Sequence, residues 1–207
     1  PAEEVGTNIM TDYEDIRSLD AETLAARLLE NVGSDHWPPV HTAIEWAMER
    51  HAGQVRRDGT DFRCHPLRVA VLLNELADQT DPNVLCAGLL HDLLEDTDTQ
   101  VDEINATFGS KVGDFVRALT LKDPRAGQTK LQRNMAHFEG LRWEGRDAQI
   151  VRSADRLDNL KTLDAIDDYD RREDYLKESR EGLLPLTLAC NTSLYHALKD
   201  TLDAAGA

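Results

Sequence analysis

The fold class the sequence predicts is all-α, a compact single-domain helical bundle, and three observations predict it. Apolar residues recur at three- and four-residue spacing along most of the chain, no segment shows the alternation of a half-buried strand, and the punctuation is that of helix ends. The 207 residues, 41% hydrophobic and 30% charged, suffice for one domain around an ordinary core.

Each element follows from local signals. Asp20 caps a first helix whose Leu24, Leu28 and Leu29 share one side and which Gly33 ends. Pro38-Pro39 suits the start of a second, with Val40, Ala43, Ile44 and Ala47 inward and Gly53 past its end. A third begins near His65-Pro66 and runs through Leu67, Ala70, Val71 and Leu76. Asp81-Pro82 opens a fourth, carrying LCAGLLHDLLED; it is apolar almost all round until its acidic end and is therefore expected at the centre. Thr99, Asp102, Glu103 and Gly109 frame a short fifth, and Ser110 caps a sixth with Val112, Phe115, Val116 and Leu119 inward. Residues 121–129 (LKDPRAGQT) read as a loop around Pro124 and Gly127. Helices resume near 130–143, 147–166 and 171–181, and a last one after Pro185 carries Leu188, Leu194 and Leu198. Residues 1–35 read as an N-terminal helical extension, serving packing or self-association into a homodimer, and 36–207 as the functional domain.

Composition narrows the function classes. No apolar run approaches the roughly 18 residues of a membrane span. Residues 1–30 lack the basic-then-apolar pattern of a signal segment. The three cysteines, Cys64, Cys86 and Cys190, are widely spaced with no CxxC pair, so reduced thiols in a cytoplasmic protein are expected, with no membrane association and no zinc–thiolate site. A net charge of -16 repels a nucleic-acid backbone, and no nucleic-acid partner is expected. A small anionic ligand remains compatible, because a metal ion and a few arginines can reverse the field inside one pocket. Arg56, Arg57, Arg63 and Arg68 cluster about His65 against the acidic background.

The densest chemical signal is HDLLED at 91–96. Read as one helix, it places His91 over Glu95 and Asp92 over Asp96. Three carboxylates and an imidazole at the end of an apolar helix repel one another unless a cation sits among them; an exposed acidic helix end is the alternative. Two distant residues join them. His65 precedes a proline at a helix start. Asp155 lies in SADRLDNLKTL, on a helix whose Ile150, Val151, Leu157 and Leu160 face the core, with Asn159 one turn on. A charge beside a core stripe is costly without a partner. His65 as a helix cap, and Asp155 paired with Arg152 or Arg156, are the plainer readings.

Two imidazoles and two carboxylates suit Mn²⁺, Fe²⁺ or Zn²⁺, and the lack of cysteine ligands favours Mn²⁺. Only His137 lies between Asp92 and Asp155, too little for a second ion, so one metal is expected. His36, His41, His51 and His196 read as surface or capping residues rather than ligands, and Trp37, Trp46 and Trp143 as core or packing aromatics.

Four segments in order, HAGQVRRDGTDFRCHPLRVA (51–70), AGLLHDLLEDTDT (87–99), FGSKVGDFV (108–116) and ADRLDNLKTL (154–163), resemble the hydrolase domain of the Rel/SpoT alarmone enzymes. The chain is closest in size to the stand-alone small alarmone hydrolases of the HD superfamily of metal-dependent phosphohydrolases. The resemblance covers about residues 40–166. It implies an HD-type bundle over 36–207 and Mn²⁺-dependent removal of the 3′-pyrophosphate of (p)ppGpp, giving GDP or GTP and pyrophosphate. It further implies His65, His91, Asp92 and Asp155 as metal ligands, and Glu95 and Asp96 as the acidic pair handling the attacking water. Arg56 would stack on guanine, Arg57 would be a neighbouring basic substrate contact, and Asn159 a polar contact near the nucleotide sugar. Two departures stand out: Asp158, where such enzymes usually carry histidine, and VRALTLK (116–122), where they carry Val-Asp-Gly-Val-Thr-Lys. The second bears on the guanine side and leaves hydrolysis of another nucleotide, such as NADPH, a dNTP or a nucleoside monophosphate, as the alternative.

Overall fold

The computed structural model describes residues 15–34 and 36–206. Residues 1–14 and 35 of the expected N-terminal extension, and the side chain of Trp37, lie outside the described residues.

Twelve named helices follow one another, and the described residues hold no strand beyond an isolated Val55–Asp61 bridge. Helix α1 (Ala21–Asn31) starts where the Asp20 carboxylate accepts from the Thr23 amide, and it buries Ala21, Leu24 and Leu28 against α3. Helix α2 (Trp37–Arg50) has its prolines in the first turn, where a missing N–H costs nothing. Helix α3 (Cys64–Val71) is buried at every position. Helix α4 (Pro82–Leu90), capped by Asp81, is buried from Val84 onward, as its all-round apolar pattern requires. Then come α5 (Leu93–Asp96), α6 (Val101–Phe108), α7 (Ser110–Leu119), α8 (Lys130–Leu141) and α9 (Arg146–Leu160). Helices α10 (Tyr169–Glu178), α11 (Leu184–Cys190) and α12 (Thr192–Ala205) complete the chain. Among the described residues no helix is long and apolar enough to cross a membrane.

The centre is made by α3, α4 and α9, which pack on one another; α2 and α7 flank α4, while α11 and α12 cover α9. Gly88 suits the close packing of α4 on α3: a Cβ there would lie 3.8 Å from the Ala70 Cα and would press on the side chain of Leu73, in the turn after α3.

Several boundaries differ from the sequence reading. The third helix passes into a π-helical turn at Leu72–Leu76. The fourth divides at His91–Asp92: the His91 ring nitrogen Nδ1 donates to the Gly88 carbonyl, a side chain entering the helical ladder, and the chain bends there. Helix α9 stops at Leu160 rather than 166. Gln100 rather than Thr99 forms the capping box with Glu103, and Gly109 at φ 89° rather than Ser110 occupies the start of α7. His51 holds the C-cap of α2 and is fully buried, while Trp143 is 81% exposed and Leu188 56% exposed. Trp143 stands in the turn between α8 and α9, where no neighbouring element covers it.

Candidate metal centre

His65 comes from the first turn of α3, His91 and Asp92 from the bend after α4, and Asp155 from the middle of α9. The three central helices thus each contribute to one point. His65 Nε2 lies 3.4 Å from Asp92 Oδ2 and 3.3 Å from Asp155 Oδ1; His91 Nε2 lies 3.2 Å from Asp92 Oδ1 and 3.5 Å from Asp155 Oδ1. Donors about 2.1 Å from a shared first-row cation stand about 3.0–3.4 Å apart. His65, His91 and Asp92 form the tight group, which Asp155 Oδ1 joins through both histidines.

The orientation of each imidazole is fixed from its far side. His91 Nδ1 donates to the Gly88 carbonyl at 2.8 Å, and His65 Nδ1 donates to Asp158 Oδ2 at 2.6 Å. A carbonyl and a carboxylate can only accept, so Nδ1 carries the proton and Nε2 turns inward in both rings. Both Nε2 atoms are buried without a hydrogen-bond partner. Buried nitrogens of this kind, turned toward carboxylate oxygens, fit the donor set of a shared cation.

The electrostatics agree. Burial and the nearby Arg56 charge oppose protonation of His65, yet the carboxylates of Asp155, Asp158 and Asp92 raise it to about 9. Burial likewise opposes charge on His91, which Asp92 and Asp155 nevertheless hold well above the usual imidazole range. Asp92 is held below the ordinary carboxylate range against its own burial by His91 and His65, and Asp155 by Arg152 together with those histidines. Buried carboxylates that recruit protons onto neighbouring imidazoles are groups a divalent cation would satisfy.

Asp155 reconciles two readings that looked exclusive in the sequence. Its Oδ2 pairs with Arg152 Nη1 at 2.6 Å, while Oδ1 faces the histidines and accepts from Asn159 Nδ2 at 2.6 Å. The ion pair and the metal-facing oxygen coexist. His65 is no helix cap: Arg63 holds that position and the His65 ring is wholly buried.

A cavity of about 490 Å³ adjoins the donors and is lined by His65, Asp92 and Asp96 together with Arg56, Arg57 and Asn159. Arg56 and Arg57 sit in a tight turn closed by hydrogen bonds from the Arg56 amide to the Thr60 carbonyl and from the Phe62 amide to the Gln54 carbonyl. Gly59 at φ 84° makes that turn. Arg56 is half-buried; its Nη2 donates to Asn159 Oδ1 at 2.6 Å. Asn159 therefore bridges Arg56 to Asp155.

Glu95 and Asp96, on the four residues of α5, are exposed. Asp96 lines the cavity. Glu95 Oε1 accepts from the Leu121 amide at 2.8 Å. Partial burial, then the charge of Asp92, raises both carboxyl groups above their ordinary values; Leu121 and Arg152 partly offset this for Glu95.

Sequence reasoning missed the residues that hold the donors. Asp158 and Arg68 support His65, and each stands three residues after a predicted ligand, so a helical-face reading would have found them. Lys130, Arg171 and Tyr175 line the cavity from α8 and α10, elements whose distance in sequence gave no signal. His51 stacks on Phe62 and bonds Gln54, whose Nε2 donates to the Asp96 carbonyl.

Fold and site define a helical domain built round a donor set of divalent-cation type. The HD-domain family model matches residues 43–181, which include every candidate residue named above, and the chain belongs to the HD-domain family. It is similar to the guanosine-3′,5′-bis(diphosphate) 3′-pyrophosphohydrolase of Aquifex aeolicus, 35% identical over 155 residues, 73% of this chain and 21% of that protein. It is also similar to the protein of that activity named MESH1 in Homo sapiens, 39% identical over 123 residues, 58% of this chain and 67% of the relative. A solved structure described as a metazoan orthologue of SpoT that hydrolyses ppGpp superposes with a TM-score of 0.72 at 26% identity, covering 82% of this chain and 96% of the other. The resemblance read from the four motifs holds. The chain spans about a fifth of the Aquifex protein's length.

Proposed function

We propose that this chain is a metal-dependent phosphohydrolase that removes the 3′-pyrophosphate of (p)ppGpp, with Mn²⁺ as the favoured ion. The observation that carries the proposal is a pair of buried imidazole Nε2 atoms, of His65 and His91, without hydrogen-bond partners and facing Asp92 and Asp155, where His65 and Asp92 line a cationic, nucleotide-sized cavity. The names of the relatives supply the substrate.

His65, His91, Asp92 and Asp155 would hold the ion. When bound, a divalent cation acidifies water and polarises a phosphoryl oxygen. The remaining work falls to the chain. Asp96 at the cavity wall, with Glu95 beside it, would orient the attacking water and accept its proton, and carboxylates raised above their usual range are the better bases for it. Attack at the phosphorus on ribose O3′ breaks that P–O3′ bond, leaving a free 3′-hydroxyl and pyrophosphate.

Elsewhere in the cavity lining, burial depresses Lys130, and the charges of Arg171 and Arg57 depress it further. Three crowded cations are relieved by an anionic ligand, which is where the substrate's phosphates would lie. Arg56, its guanidinium held by Asn159, offers a flat surface for a purine. The ligand is a small anionic nucleotide rather than nucleic acid, given the net charge of -16.

Purified protein with Mn²⁺, or with chelator, offered ppGpp beside NADPH, dNTPs and nucleoside monophosphates, tests this. Metal-dependent release of GDP and pyrophosphate is the expected result. Release of orthophosphate from ppGpp, or turnover of another nucleotide only, overturns the substrate assignment.

A further inference from the structure

Asp158 takes no place among the four donors, yet it is fully buried beneath them on α9. Its Oδ2 accepts from His65 Nδ1 at 2.6 Å; its Oδ1 accepts from Arg68 Nε at 2.6 Å, and Arg68 Nη2 reaches Oδ2 at 3.1 Å. Arg56 Nη1, from the cavity lining, stands 3.9 Å from the same carboxylate. Arg68 is itself buried, one helical turn after His65 on α3.

We propose that Asp158 is a positioning residue for the metal centre: its carboxylate locks His65 as the tautomer that presents Nε2 to a divalent cation, and Arg68 locks the carboxylate. The inference rests on the reading that His65, His91, Asp92 and Asp155 hold that cation. The two imidazoles are then not equivalent. His91 leans on a neutral backbone carbonyl, whereas His65 leans on a charge. A carboxylate partner pulls on the Nδ1 proton, enriches Nε2 in electron density and makes His65 the stronger ligand; losing such outer partners typically costs about 10- to 100-fold in metal affinity.

The competing account is that Asp158 merely neutralises the buried guanidinium of Arg68. Removing Asp158 alone would confuse the two, because an unpaired buried arginine is strongly destabilising. The double variant R68M/D158L removes the pair together, which preserves packing but leaves the His65 Nδ1 proton without an acceptor. Mn²⁺ binding is followed by the electron paramagnetic resonance of the free ion, and thermal unfolding is recorded separately.

The proposal expects the double variant to fold and to bind Mn²⁺ at least tenfold more weakly than wild type. D158N, which keeps an acceptor oxygen but not its charge, is expected to fall between the two. Affinity within twofold of wild type in both variants overturns the proposal; should the double variant fail to fold, D158N decides by the same criterion. Wild-type protein that binds no Mn²⁺, or H91A protein that binds it as well as wild type, overturns the proposed function itself. Unchanged variants beside a binding wild type overturn only the role of Asp158.

Discussion

His65 and Glu95 are both assigned to the reacting centre, yet the molecule holds them by different means. His65 is wholly buried in α3, gripped through Nδ1 by Asp158, and flanked by helices α4 and α9. Glu95 is exposed on the four residues of α5, and one backbone amide, that of Leu121, reaches its carboxylate. That amide opens the loop 121–129, which Arg133 ties down through the Leu121 and Lys122 carbonyls. The proposed donor side is thus fixed by core packing, whereas the proposed water-handling side is tied to a surface loop. Such an arrangement keeps a cation site rigid while leaving the loop free to vary, and the loop borders the 116–122 stretch where the sequence departs from the enzymes it resembles.

The sharpest way to break this contrast is to remove a donor. H91A is expected to abolish Mn²⁺ binding and turnover together, read by metal titration and product release; turnover without bound metal would refute the donor set. E95Q should retain Mn²⁺ affinity while kcat falls by about 10²- to 10⁴-fold, the usual worth of acid–base help. A normal kcat in E95Q would leave Asp96 alone in that role. R56A removes a cavity-lining cation and should raise KM roughly 10- to 100-fold, from about 1.5–3 kcal/mol of charge-assisted contact, with a smaller change in kcat.

Farther from the centre the effects shrink to stability. Burial, then the charges of Arg152 and Arg156, pushes His137 down to about 3, and Arg152 Nη2 lies 3.2 Å from its Nε2. The unfolded chain binds a proton at this residue below about 6.5, while the native state refuses it until about 3. Stability at this residue is therefore full above about 6.5 and falls as the pH drops toward 3, by at most about 1.4 kcal/mol per pH unit. H137Q, which keeps an acceptor for Arg152, should flatten that part of the unfolding-versus-pH curve; an unchanged slope would show that His137 is not the group responsible. Smallest of all, R133A should loosen loop 121–129 at a stability cost within about 1 kcal/mol and lower kcat only severalfold, leaving Mn²⁺ affinity unchanged.

Much of the fold was legible because helix ends announce themselves. Asp20, Asp81, the Pro38-Pro39 pair and Gly109 mark boundaries through local hydrogen bonding and backbone geometry alone. The break at His91–Asp92 was not legible, since it depends on a ring nitrogen returning to the Gly88 carbonyl. Trp143 was misread for a related reason: an aromatic residue signals burial only if some other element arrives to cover it.

At the site, residue types and spacing, together with the family resemblance, singled out four side chains that could serve one cation. Their i, i+4 neighbours Glu95, Asp96 and Asn159 came with them, because helical periodicity is local. Tertiary structure alone decided which oxygen of Asp155 turns to the histidines and which to Arg152. It alone placed Asp158 behind His65, tied Glu95 to the Leu121 amide and set Asp96 in the cavity lining. Those outcomes depend on how α3, α4 and α9 pack across distances of up to 93 residues in sequence, and no local rule carries information that far.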